Sequence, residues 1–105
     1  MDKTAMLQQI LEANPGDAFA RYGLAMEYAG RDDFDASLRE FETLLKNSPE
    51  YTPGYFMAAQ TLARAGRTDE AKEHLTLGIA SAVRTGNRHA QSEMQAMLDE
   101  LELDV

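Results

Sequence analysis

Few side chains in this 105-residue chain have the type and spacing that chemistry requires. Glu70 and His74 lie four apart, a spacing that sets two metal ligands on one helix face. No third ligand of matching geometry accompanies them, and an acid–His pair at this interval reads as surface electrostatics. His89, the other histidine, falls at the head of the last amphipathic segment, where a helix begins to pack. The chain has no cysteine, which excludes disulfides, thiolate zinc sites and thiol nucleophiles. No Ser-His-Asp order, glycine-rich phosphate loop or isolated carboxylate pair stands out, so we expect no catalysis, no metal and no cofactor. Recognition is the chemistry that remains. Phe19, Tyr22 and Met26 form an apolar stripe, and the aromatic residues are concentrated between Phe19 and Phe56. Aromatics and methionine anchor and adapt in interfaces.

Composition narrows the partners. The formal net charge is −8 and no long basic run interrupts it. Phosphate backbones and anionic membranes both call for stripes of Lys and Arg, so neither nucleic acid nor a membrane surface is an expected partner. The N-terminal stretch has an acid at Asp2 and no sustained apolar core, so it does not read as a signal peptide, and no segment approaches the ~18 apolar residues of a membrane span. A cytoplasmic location is expected. The length suits one domain, residues 1–105, burying roughly 65% of its unfolded surface. Met1 and the amphipathic end helix suggest a complete unit.

The elements that would position these residues are helices. Met6, Leu7, Ile10 and Leu11 make one helical face over 3–13, and Asn14-Pro15-Gly16-Asp17 stops it and offers Asp17 as the next cap. A second helix, from 18 to 29, is apolar on two sides: Leu24, Ala25 and Tyr28 on one, Phe19, Tyr22 and Met26 on the other. After Gly30-Arg31-Asp32-Asp33, a third runs to about Asn47 with Phe34, Leu38, Phe41, Leu44 and Leu45 inward, ended by Ser48-Pro49. A turn over Glu50–Gly54 contains Pro53 as an early helical residue. Tyr55 to Ala65 forms the fourth helix, with Gly66 as its left-handed end. Thr68 is expected to cap a fifth from Asp69 to Val83, and Thr85-Gly86-Asn87 separates it from a sixth, 88–103. The fold class is therefore all-α, an antiparallel array of about six helices.

The array has a period. Pro15 and Pro49 are 34 residues apart, as are Ala25 and Ala59, Tyr28 and Leu62, Asp35 and Asp69, and Phe41 and Leu75. This pattern resembles the tetratricopeptide repeat (TPR), a 34-residue helix–turn–helix unit. Leu24-Ala25, Tyr28, Ser37, Phe41 and Pro49 supply its positions in a first repeat, 18–49. Tyr55, Ala58-Ala59, Leu62, Gly66, Ala71, Leu75 and Gly78 supply them in a second, 52–83. Leu7, Ile10 and Pro15 fit the half-repeat helix 3–13, and helix 88–103 closes the array as a cap. Arg21 departs from the pattern where an aromatic is usual, Ser37 where alanine is, and Val83 where proline is. The Ala-Gly-Arg tripeptides at 29–31 and 65–67 are offset by 36, which predicts a differently shaped turn in the first repeat. Small residues at Ala25, Ala59, Ala71 and Gly78 let paired helices approach.

The resemblance implies a concave groove lined by the first helix of each repeat, holding a peptide or partner segment. Carried over, it places Phe19, Tyr22, Met26 and Ala29 on the groove, then Pro53, Phe56, Gln60, Ala63 and Arg64, then Asn87, Ala90, Met94 and Met97, with Tyr51 at the rim. The alternative for Phe19 and Tyr22 is core packing against the N-terminal helix. Of the positions that grip a terminal carboxylate in some relatives, here Tyr22, Met26, Gly30, Phe56, Gln60 and Arg64, only Arg64 could serve, so an apolar or aromatic segment is the expected ligand. The expected function is a protein- or peptide-binding module of adaptor, co-chaperone or scaffold type, without enzymatic activity. The competing expectation is an assembly domain forming a weak homodimer through the groove or the array end near Met6, Leu7 and Ile10. The acidic run Asp99 to Asp104 is read as solvating that array's other end.

Overall fold

The computed structural model describes residues 1–103, and in it the amphipathic segments are helices. Among the described residues six are present: α1 Lys3–Ala13, α2 Ala18–Gly30, α3 Phe34–Asn47, α4 Thr52–Arg64, α5 Thr68–Arg84 and α6 Arg88–Leu103. Side-chain caps set several starts. Asp2, Asp17 and Asp33 accept from the backbone N–H three residues on, at Ala5, Ala20 and Ala36, and Asn87 does so from Ala90. Helix α4 starts three residues before the expected Tyr55, with Pro53 in its first turn, where a missing N–H costs nothing. Thr68 does not cap α5. It is already helical, and the cap residue is Arg67, which makes no side-chain cap bond.

The helix ends correct a second expectation. Helices α2, α4 and α5 end alike: Asp33 N–H donates to Tyr28 O (3.0 Å), Arg67 N–H to Leu62 O (2.8 Å) and Asn87 N–H to Ala82 O (2.8 Å). The residue before each donor is left-handed, with φ of 58° at Asp32, 79° at Gly66 and 70° at Gly86. The first two turns are therefore equivalent at the 34-residue offset, and the tripeptide offset of 36 misled. Gly30 is the last helical residue of α2, not the counterpart of Gly66.

Consecutive helices pack antiparallel. Helices α2 and α3 form one hairpin, α4 and α5 another, with α1 before and α6 after them. Helix α2 also touches α4, and α4 touches α6, whereas no such approach links α1 to α3 or α3 to α5 among the described residues. The α2–α4–α6 layer is thus the tighter one, and the array curves around it. Its partner layer is splayed enough to leave a cleft of about 240 Å³ bordered by Leu38 and Glu42 of α3 and Glu70 and His74 of α5.

The core runs through the array in three linked clusters. Leu11, Ala20 and Leu24 join α1 to α2; Ala25, Phe41, Leu44 and Ala58 join the first hairpin to α4; Tyr55, Ala59, Leu62, Ala71, Leu75, Ala82 and Met94 join the second hairpin to α6. Ala25, Ala59 and Ala71 are fully buried, as their small size at contact points requires. At Gly78 a Cβ would sit 2.5 Å from the Met94 sulfur and 2.6 Å from Tyr55 Cβ, so only glycine lets α6 and α4 close on α5. Buried hydroxyls are satisfied: Ser37 donates to Ala25 O (2.8 Å), and Thr52 and Ser81 bond each other (2.8 Å).

Candidate functional site: the inner face of α2, α4 and α6

The inner layer carries the expected recognition residues, but not all of them face outward. Phe19, in the first turn of α2, is 76% exposed and belongs to no core cluster. Tyr22 and Met26, one and two turns further on, are half-buried against the Ala25–Phe41–Leu44–Ala58 cluster. The Tyr22 ring meets Phe41 edge-on at 6.4 Å and tilts over Tyr51 at 5.4 Å. Burial, with Tyr51 as a lesser cause, pushes the Tyr22 hydroxyl above its ordinary range, and burial does the same at Tyr51. The groove and core readings of this stripe therefore divide between its residues. Phe19 is surface, while Tyr22 is an aromatic wall packed on α3 and on Tyr51, not on α1.

Between α4 and α6 lies an open groove of about 480 Å³ lined by Phe56, Gln60, Glu93, Ala96, Met97 and Glu100. Phe56 and Met97 are partly buried against the second-hairpin core, giving the groove an apolar floor. Three expected groove residues, Phe56, Gln60 and Met97, are brought together here. Three others, Glu93, Ala96 and Glu100, were missed.

Met94 is a correction. It is fully buried beside Gly78 and Tyr55, so it is core and presents nothing to a partner. The cause lies one helix earlier. Pro49 follows α3, but Val83 occupies the matching place and lets α5 run on to Arg84. Helices α2, α4 and α6 then start at 18, 52 and 88, so the last interval is 36 residues instead of 34. Carrying the 34-residue register into α6 rotates it by about 200°, two residues at 100° each. The signal was the missing proline.

Arg64 is engaged within the fold. It pairs with Asp32, donates to Ala29 O (3.3 Å) and holds its guanidinium 5.3 Å over the Phe34 ring. It ties the first hairpin's turn to α4 instead of standing open in the groove.

The Glu70–His74 pair is likewise committed elsewhere. The Arg67 fork donates to both Glu70 oxygens (2.8 and 2.7 Å), which holds that carboxyl below the usual range, and His74 Nδ1 lies 2.9 Å from the Glu70 carbonyl. Among the described residues no three His, Cys, Asp or Glu side chains converge as a metal site would require. No helix of the described chain is long and apolar enough to cross a membrane. Of the acidic run 99–104, Asp104 lies outside the described residues.

The array end shows the other expected surface. Leu7 packs inward toward Leu24 and against Gly23, whereas Met6 and Ile10 are 52% and 43% exposed.

Comparison with known proteins supplies the family. No family model matches the chain. A TPR repeat-containing protein of Pseudomonas aeruginosa is 24% identical over 96 residues, 91% of each chain. A tetratricopeptide repeat domain protein of Salinibacter ruber is 32% identical over 85% of this chain and 90% of its own, with a TM-score of 0.80. PcrH, solved in complex with the chaperone binding region of PopD, is 17% identical and superposes over 96% of this chain and 77% of its own with a TM-score of 0.90, a likeness of fold. With the 34-residue helix starts, the small-residue contacts and the repeated turns, these matches make the chain a member of the tetratricopeptide repeat family.

Proposed function

We propose that this protein is a non-catalytic, cytoplasmic interaction module that holds a segment of a partner protein along the inner face of α2, α4 and α6. The observation that carries the reading is the open, apolar-floored groove of Phe56, Gln60 and Met97, with exposed Phe19 at the far end of the same layer. Large contiguous apolar patches left at a surface usually mark interaction sites. PcrH, similar in fold, was solved holding a segment of PopD, which supports peptide capture as a use of this architecture. The floor suits an apolar or aromatic anchor, as adaptors and co-chaperones recognise.

The test is co-purification from source lysate with wild type, Phe19→Ser, Phe56→Ala and, as an outer-face control, Leu77→Ser, each checked by circular dichroism for retained helix. Leu77 is 55% exposed on α5. A partner kept by wild type and Leu77→Ser, and lost with the two inner-face variants, is the expected result. Equal retention by all four would remove the inner face as the site.

A second reading rests on the exposed Met6 and Ile10 of α1, joined by exposed Met1. They could seat a second copy of the chain and make a weak homodimer. Sedimentation velocity across a hundredfold concentration range decides it; a monomer throughout ends this reading.

A further inference from the structure

The α4–α6 groove is apolar at its floor and acidic on one wall. Glu93 and Glu100 both stand on α6 beside Phe56 and Met97. Seven residues separate them, or about 10 Å along a helix, so no single cation spans both. Glu93 has His89 Nε2 at 3.0 Å, an ion pair only when that imidazole is protonated. Among the described residues Glu100 has no cationic nitrogen within 4 Å. The one cation of α4, Arg64, is held by Asp32 and the Phe34 ring.

We infer that the groove's occupant is a basic–apolar segment, one apolar side chain seated between Phe56 and Met97 and flanked by lysines or arginines that pair with Glu93 and Glu100. This rests on the inner-face reading above and specifies its ligand. An acidic segment would be repelled, and a neutral one would leave Glu100 beside the apolar floor without a cationic partner. A net charge of −8 steers cationic segments toward the protein from a distance. In an extended segment, side chains at i, i+2 and i+4 share one face and the outer two lie about 13 Å apart, within reach of carboxylates ~10 Å apart once flexible lysines lean inward.

The experiment uses the full chain, isotope-labelled, titrated with an end-blocked peptide of core Lys-Ser-Leu-Ser-Lys. Two counterparts complete the set, one with glutamine for both lysines and one with serine for leucine. The expected result is shift changes at Phe56, Gln60 and Met97 with the first peptide, weaker binding between about 50 and 500 mM salt as screening shortens the reach of charge. Glu93→Gln with Glu100→Gln should weaken it by about tenfold, while Asp69→Asn with Glu73→Gln on the outer α5 surface, the same change in net charge, should leave it within about twofold. If the glutamine peptide shifts the same residues as strongly and without salt dependence, the charge assignment is overturned and the groove reading survives. If no peptide of the set shifts those residues, the basic–apolar occupant is overturned, and the lysate comparison then judges the inner face on its own.

Discussion

The two full hairpins reach nearly the same backbone from different residues. Where α4 places Tyr55, whose hydroxyl donates to Pro49 O (2.8 Å), α2 places Arg21, whose guanidinium donates to Pro15 O (3.1 Å). Both donors and both prolines are 34 apart. Arg21 needs something Tyr55 does not. Its other arm binds Glu40 of α3 at 2.7 Å, with the two side chains only 16% and 21% exposed. At the turns, Asp32 takes the left-handed conformation that Gly66 takes more cheaply. In the second helices Ser37 returns a hydrogen bond to α2, whereas Ala71 fills the same small space with no donor. A repeat position therefore asks for a hydrogen bond or a volume at a given place, and more than one side chain can supply it.

Substitutions can break this equivalence or sharpen it. The largest effect should come from Met94→Ala, which empties a fully buried site. We expect about 2–5 kcal/mol of lost stability in urea unfolding, and well under half of that for Met26→Ala, whose side chain is only half-buried. A Met94→Ala protein with an unmoved midpoint would contradict the register given to α6. Next is Gly78→Ala, about 1–3 kcal/mol by thermal melt, because its Cβ meets backbone-anchored Tyr55 as well as Met94. Gly54→Ala should cost less, since the tight contacts of a Cβ there are with the flexible tips of Leu44 and Leu45 at 3.0 Å, and the Tyr51 ring lies at an ordinary 3.6 Å.

Arg21→Ala follows, at about 1–2 kcal/mol for a half-buried pair left without its cation, against ~0.5–1.5 kcal/mol for Tyr55→Phe, which removes one hydroxyl bond. A double-mutant cycle of Arg21 with Glu40 that shows no coupling would rule out the pair as Arg21's support. The smallest effects belong to the turns. Gly66→Ala should destabilise by about 1 kcal/mol, and Asp32→Gly should stabilise by a few tenths after loss of its pairing with Arg64. Chemical denaturation resolves both signs, and a destabilised Asp32→Gly would mean the pairing outweighs the backbone.

The contrast also explains what was legible in the sequence. Helices were, because apolar periodicity, aspartate caps and Pro15 and Pro49 mark them locally, and each of the six begins and ends close to where those signals fall. The first-repeat turn was misjudged because identity of residues, Ala-Gly-Arg, was followed instead of position. Asp32 does the work there that the eye assigns to Gly30. The fate of the Phe19–Tyr22–Met26 stripe was undecidable from spacing, since α2 is apolar on two sides and only the position of Tyr51 and Phe41 tells which side closes. The acidic part of the α6 wall was missed for a different reason. Thr85-Gly86-Asn87 marks the turn after α5 and puts the start of α6 two residues later than a 34-residue period would, yet the groove positions were carried over at 34. Glu100 was read within the solvating run 99–104 and Glu93 was not singled out, although both border the groove.

The joints between hairpins have one consequence for how such a chain could grow. At the first joint Leu44 of α3 fills the space that Gly54 and Ala58 of α4 leave open. At the second the sizes are reversed: Gly78 of α5 is the recess and Met94 of α6 the plug. The two joints are keyed oppositely, so the hairpins are not interchangeable bricks. A duplicated α4–α5 unit spliced after α5 would set recess against recess at Gly78, leaving a void where the methionine had been. Lengthening this array by duplication would therefore require a compensating large residue in the new first helix, and the order of its helices is written into the shapes of their seams.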